Sequence, residues 1–234
     1  METIQEIMGT TDVELLKSQL LSRRTSVPRF RLPYPADTAS DMLLAAVMAE
    51  VEFRHGTFLD SGIFRRQLEC IARWLTSDCS KFGILLCGFC GNGKSTFVKA
   101  LQQLLNLLCI REPYSGECYG LQIIRANDLF EVSQEEMHRQ VHALSRKPLL
   151  AIDDLGTEPV EVMHYGNVSS PIIRLLGNRY EEQRFTVITS NLSPKDITRV
   201  YGERIGDRLS EMLEILPFEN PSYRNGNLLQ TDTS

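Results

Sequence analysis

No apolar run in these 234 residues approaches the roughly 20 residues that a membrane-spanning helix needs. The first residues, METIQEIMGTTDVELL, carry acids and lack the basic start and long apolar stretch of a signal peptide. Positive charge is not in excess: 25 Lys and Arg face 30 Asp and Glu, a net charge of −5, so any nucleic-acid binding has to come from a local patch or an oligomer's channel. The six cysteines form no framework, and Cys87, Cys90 and Cys109 fall in apolar or glycine-rich segments. They read as reduced thiols, and the expected location is the cytoplasm. Internal repeats and low-complexity segments are also missing. What is present, 42% hydrophobic and 24% charged residues, suits one α/β domain with a modest appendage.

Residues 1–26 suggest a small helix. Thr11 and Glu14 fit a capping box, and Val13, Leu16 and Leu20 recur at helical spacing. Such a helix serves equally to pack on the main domain or to dock a partner. Pro28, Pro33 and Pro35 then predict a stiff, extended linker. Helical patterns run from Asp41 through MLLAAVMAEVEF and then through FRRQLECIARWL, ending near Ser77. Beyond them strands (83–88, 121–126, 148–153, 185–191 and a last one near 214–218) alternate with helices (94–108, 128–145, 171–183 and 194–212). Mostly apolar strands alternating with helices predict a parallel sheet covered on both faces. The expected domains are an appendage with linker at 1–37, a main domain at 38–224 and a tail at 225–234.

The segment G-F-C-G-N-G-K-S, residues 88–95, matches the P-loop pattern G-x-x-x-x-G-K-[ST] in full. An apolar strand feeds it and a helix leaves it, as its mechanism requires. Gly88, Gly91 and Gly93 let successive N–H groups turn toward phosphates, and the helix adds its positive end. Phe89, Cys90, Asn92 and Thr96 complete the candidate nucleotide contacts. Lys94 is expected to neutralise phosphate charge and the Ser95 hydroxyl to ligate Mg²⁺. The expected ligands are therefore ATP and Mg²⁺. Cys87 and Cys90 make a C-x-x-C pair, but no second Cys or His pair stands at ligand spacing, so core or loop thiols are the simpler account. His138 and His142, in HRQVH, lack the Glu of H-E-x-x-H and fit a solvated helix face. His164 suggests nothing specific.

PLLAIDDLG, residues 148–156, is an apolar strand ending in Asp153 and Asp154. Adjacent acids at such an end call for a cation or a proton transfer. Asp153 fits a Walker B acid in the Mg²⁺ shell, and Asp154 is placed to orient or deprotonate an attacking water; as an alternative, Asp154 caps the turn into Leu155 and Gly156. FTVITSN ends in Asn191, which follows the other motifs in the order of a carboxamide that senses the γ-phosphate. In YGERIGDRLSEM, residues 201–212, Arg204 and Arg208 lie one turn apart on one helix face. Each can pair within its own helix or reach a neighbour's γ-phosphate, with Arg208 the first choice and Arg204 the second.

GFCGNGKST, LLAIDDLG, TVITSNLS, YGERIGDRLSEM and the closing SYR at 222–224 together resemble the DnaC/IstB branch of the AAA+ ATPases, over roughly residues 80–224. The resemblance implies a P-loop NTPase of the ASCE type: a parallel five-stranded sheet flanked by helices, without a helical lid, behind a small N-terminal appendage. It assigns Lys94 and Ser95 to Walker A, Asp153 and Asp154 to Walker B, Asn191 to sensor 1, Arg208 to the finger and Arg224 to a sensor-2-like role. It also implies an ATP-dependent homo-oligomer working on single-stranded DNA, with a replicative helicase or a transposase as partner. Asp154 departs from the Glu common in AAA+ proteins, which suits a slow switch. The stretch between IIRA and Walker B is short for a DNA-contacting insertion, and TEPVEVMHYGNVSS, 157–170, is longer than expected. The leading expectation is a DnaC-like ATPase of DNA replication. The alternatives are an IstB-like transposition helper, a small P-loop metabolite kinase and a weakly hydrolysing nucleotide-dependent adaptor.

Overall fold

The runs GILLC, LLAIDDL and FTVITS carry apolar residues on both sides of the pleat, a pattern that is stable only where helices cover both faces of a sheet. In the computed structural model they form β1 (Gly83–Cys87), β3 (Leu149–Leu155) and β6 (Phe185–Ser190), within which only Asp154 is less than buried. The structure describes residues 13–22, 29–130, 132–159, 162–164, 167–220 and 223. With β2 (Leu121–Arg125) and β7 (Leu213–Pro217), these strands make an all-parallel five-stranded sheet in the order β2-β3-β6-β1-β7. The two edge strands are only partly buried. This is the expected α/β architecture.

Alternation along the strands divides the core in two. Ile84, Leu86, Ala151 and Val187 meet the layer built by α2 (Ala36–Phe53), α3 (Gly62–Thr76) and α4 (Lys94–Leu108). Leu85, Leu150, Ile152 and Ile188 meet the opposite layer of α5 (Gln134–Arg146), α6 (Pro171–Glu181), α7 (Pro194–Tyr201) and α8 (Glu203–Met212). A further helix, α1 (Val13–Ser22), buries none of its side chains. Among the described residues no helix is long and apolar enough to cross a membrane.

Several local expectations give way. Residues 29–34, expected as linker, pack onto the domain: Phe30 and Leu32 are buried in the core, and the Leu32 N–H donates to the Leu75 carbonyl at 2.9 Å. Burying two large apolar side chains outweighs the preference of a proline-rich segment for solvent. Pro28 and the proposed Thr11 cap lie outside the described residues. The helix expected over 128–145 splits into a 3₁₀ turn, Ala126–Phe130, and α5, because Ser133 caps a new start by accepting from the Glu136 N–H. The helix expected over 194–212 breaks at Gly202 into α7 and α8. Strand β3 runs on through both aspartates, with a bulge between Ile152 and Leu155. The unexplained 157–170 segment contains an antiparallel hairpin, β4 (Val162–His164) with β5 (Asn167–Ser169). The reading of six reduced thiols is also corrected. Helix α4 ends on Cys109 in a left-handed conformation, the chain doubles back so that Arg111 pairs with Cys118, and Cys109 and Cys118 are joined as a disulfide.

One buried cation braces the second layer. Arg179 on α6 has no solvent exposure, yet its guanidinium is satisfied without a carboxylate. It donates to the Leu144 and Lys147 carbonyls at 2.8 and 2.9 Å, the Phe185 carbonyl at 2.5 Å and Thr186 Oγ1 at 2.9 Å. Burial lowers its pKa to about 9, which leaves it charged at neutral pH. These bonds hold the end of α5 and the start of β6 in one place. Arg179→Leu should therefore lower the unfolding free energy by about 3–5 kcal/mol, because several buried acceptors lose their donor together. Urea unfolding measures this, and a loss below about 1 kcal/mol would show that the brace is dispensable.

Candidate nucleotide site

Strands β1, β3 and β6 lie side by side, and their carboxyl ends converge where open α/β sheets hold their ligands. The loop after β1 is pinned from behind by the segment after β7. The Phe218 N–H donates to the Cys87 carbonyl at 2.7 Å, Asn92 Nδ2 donates to the Phe218 carbonyl at 2.6 Å, and the Tyr223 N–H donates to the Gly91 carbonyl at 3.0 Å. Gly88 has no alternative here: its φ is +149° and a Cβ would lie 2.3 Å from the Phe218 carbonyl oxygen. Asn92, almost fully buried, is the side chain that turns the loop from the sheet toward α4.

Lys94 opens α4 and folds back over the loop. Its ammonium donates to the carbonyls of Gly88 and Phe89 at 2.7 and 2.8 Å, to Asn92 Oδ1 at 3.0 Å and to Asn191 Oδ1 at 3.1 Å. Burial lowers its pKa, and the Asp154 carboxylate acts against that shift. These acceptors are neutral, so phosphate oxygens can replace them at an electrostatic gain. Next in the helix, Ser95 Oγ donates to Asp153 Oδ1 at 2.9 Å, and Thr189 Oγ1 donates to the same oxygen at 2.6 Å. The Asp154 N–H donates back to Thr189 Oγ1 at 2.9 Å. Asp154 itself has a φ of +58°, unusual for a residue other than glycine, and lines the cavity.

That cavity holds about 570 Å³. Along one side run Cys90, Gly91, Asn92, Gly93, Lys94, Ser95 and Thr96, with Asp154 and Asn191 opposite. The rest of the lining is mostly apolar, Val47, Val51, Phe58, Leu59 and Phe64 with Tyr223, and it also includes Arg54 and Thr57. Polar loop residues and apolar, partly aromatic side chains around one cavity suit a nucleotide laid along the loop. A hydroxyl and a carboxylate 2.9 Å apart are hard oxygen donors, the set that Mg²⁺ takes together with phosphate oxygens.

The structure thus brings together Gly91 through Thr96, Asp153, Asp154 and Asn191. Gly88 and Phe89 contribute only carbonyls toward Lys94, and the Phe89 ring is exposed. The arginines stand apart on α8. Arg208, the first choice for a finger, is paired with Glu181 at 2.7 Å and lies 5.1 Å over the Tyr180 ring. Arg204 is exposed and makes no hydrogen bond or ion pair with another described residue. Arg224 lies outside the described residues. His138 and His142 are exposed on α5, as expected for a solvated face. Sequence reasoning missed Thr189 and the apolar part of the lining. Thr189 reads as an ordinary strand residue, and Val47 to Phe64 carry no motif because only tertiary packing brings them to the loop.

The model of the family described as IstB-like ATP binding protein matches residues 31–231. No curated protein matches the chain. Among solved structures, the fold is similar to one described as DnaI, at 19% identity and a TM-score of 0.54, with 82% of this chain and 99% of that one covered. It is also similar to one described as the DnaC helicase loader, at 20% identity and a TM-score of 0.50, with 68% and 92% covered.

Asn92 carries a stability test of the site's frame. Asn92→Ala leaves the buried Phe218 carbonyl without its donor and should cost about 2 kcal/mol in denaturant unfolding. An unchanged midpoint would mean that the loop is not held through this side chain.

Proposed function

The chain belongs to the IstB-like ATP binding protein family, and from that premise we propose that it is an ATP-hydrolysing switch of DNA replication, acting in the manner of a helicase loader. The observation that supports hydrolysis over simple binding is the joined set at the strand ends: Ser95 to Asp153 at 2.9 Å and Lys94 to Asn191 at 3.1 Å, with Asp154 facing the same cavity. The triphosphate would lie along residues 90–96, with the Lys94 ammonium transferred from its carbonyls to the phosphates. Ser95 and Asp153 would hold Mg²⁺, which neutralises charge on the phosphate oxygens. Asn191 would orient a water, Asp154 would take its proton, and the water oxygen would bond to the γ-phosphorus as the bridge to the β-phosphate breaks. Arg204, with Arg208 second if it leaves Glu181, would reach the γ-phosphate of the next copy in a homo-oligomer.

Loading a replicative helicase onto single-stranded DNA agrees with α1, which precedes the family-matched region and exposes Val13, Leu16 and Leu20 along one helix. The family match itself favours a second reading, a transposition helper of the IstB kind. A replicative helicase retained by the full chain but not by a chain lacking residues 1–26 supports loading; retention of a transposase instead supports the second reading.

Lys94→Ala should lose ATP binding by at least about tenfold, whereas Asp154→Asn should keep binding and lose most of the phosphate release, by about a hundredfold. An Asp154→Asn rate equal to wild type would remove that residue as the base. Arg204→Ala should bind ATP normally and lose only the hydrolysis that depends on assembly. Phe58→Ala tests the apolar lining: ATP affinity should drop about tenfold, while affinity for inorganic tripolyphosphate stays the same. Equal loss for both ligands in calorimetry would mean that the base sits elsewhere.

A further inference from the structure

Past the aspartates, Glu158 is a carboxylate with 6% exposure and no ion pair to another described residue. Its Oε2 accepts from the Gly156 N–H at 2.9 Å, and its Oε1 accepts from the hydroxyl of Tyr201, itself 5% exposed. Apolar side chains could fill this space without the cost of desolvating a charge. The polar pair therefore has to be understood by what it connects.

On one side is the turn that presents Asp154. Gly156 lies two residues beyond Asp154, and Thr157 Oγ1 donates to the Asp154 carbonyl at 2.8 Å. Glu158 grips that turn through a backbone amide, so its geometry is transmitted to a residue held at positive φ. On the other side, Tyr201 is the last residue of α7, and Arg204 follows three residues later on α8. Helices α7 and α8 pack tightly against each other: Gly206 approaches Thr198 so closely that a Cβ would lie 2.4 Å from Thr198 Oγ1. Burial, with Glu158 beside it, raises the pKa of the Tyr201 phenol, which keeps it a donor throughout the neutral range.

We propose that Glu158 and Tyr201 are positioning residues whose buried contact ties the Asp154 turn to the α7–α8 hairpin, so that nucleotide bound at the strand ends sets the attitude of the arginine-bearing helix. The proposal rests on the hydrolysis reading above for its kinetic consequence, but not for its structural one. A γ-phosphate that shifts Asp154 would pull on Gly156, then Glu158, then Tyr201. In the reverse direction, a neighbour that engages α8 would adjust Asp154.

Two substitutions separate this link from simple stabilisation. Tyr201→Phe removes the hydroxyl. Glu158→Gln keeps both contacts, since its amide oxygen can accept from Gly156 while its NH₂ donates to the Tyr201 oxygen. Tyr201→Phe should lower kcat for ATP about tenfold or more with Kd for ATP unchanged, and Glu158→Gln should stay near wild type. Hydrogen exchange with a non-hydrolysable ATP analogue gives a readout independent of turnover. Amides of residues 88–95 should slow in all three proteins, but amides of 201–208 should slow only in wild type and Glu158→Gln. Wild-type turnover and exchange in Tyr201→Phe would overturn the link, as would a loss of ATP affinity in step with its rate. If wild type itself releases no phosphate, the hydrolysis reading fails, and the exchange of residues 201–208 alone decides the link.

Discussion

A carboxylate at the end of an apolar strand holds the candidate site together. Asp153 is buried, and a buried carboxylate persists only where donors are directed at it. Two hydroxyls serve, Ser95 from the start of α4 and Thr189 from β6, and they converge on the same oxygen. That requirement ties the phosphate loop, the aspartate strand and the strand leading to Asn191 into one unit. Thr189 also takes the Asp154 N–H, so the bulge that presents the second aspartate depends on the same residue as the first.

Around this unit the loop is fastened on its far side by the segment after β7. The Phe218 N–H and carbonyl are both used there, and Asn92 connects that carbonyl to the Lys94 ammonium. The result is a loop held rigidly by its side chains and carbonyls. The loop residues along the cavity then face a volume of about 570 Å³. Rigidity of this kind reduces the entropy cost of seating a flexible triphosphate. The apolar part of the lining comes from α2, α3 and the segment between them that carries Phe58, joined by Tyr223, the last described residue of the chain.

The second layer has a different task. Arg179 secures the end of α5 to β6 through backbone carbonyls, and Glu158 secures the aspartate turn to Tyr201. Both are charged groups where apolar ones would pack, and both connect elements far apart in sequence. Between them α8 carries one arginine already paired, Arg208, and one exposed, Arg204. Arg208 is held by Glu181 and lies over the Tyr180 ring, so an ion pair must be broken before that side chain can leave.

Local sequence alone determined the sheet's class, the strand–loop–helix at Gly88–Ser95, and the placing of Lys94, Ser95, Asp153, Asp154 and Asn191 around the carboxyl ends of the strands. These depend on hydrophobic period and on fixed short spacings, which a linear reading captures. Tertiary structure alone decided the rest. The 29–34 segment packed onto the domain because a place existed in the core for Phe30 and Leu32, and Cys109 met Cys118 because a left-handed turn reversed the chain. Val47, Phe58, Phe64 and Tyr223 came to line one cavity, and Glu158 met Tyr201 across 43 residues. Contacts of this kind depend on the path of the chain through three dimensions. No periodicity or motif records it, because each residue's partner is chosen by how whole elements pack.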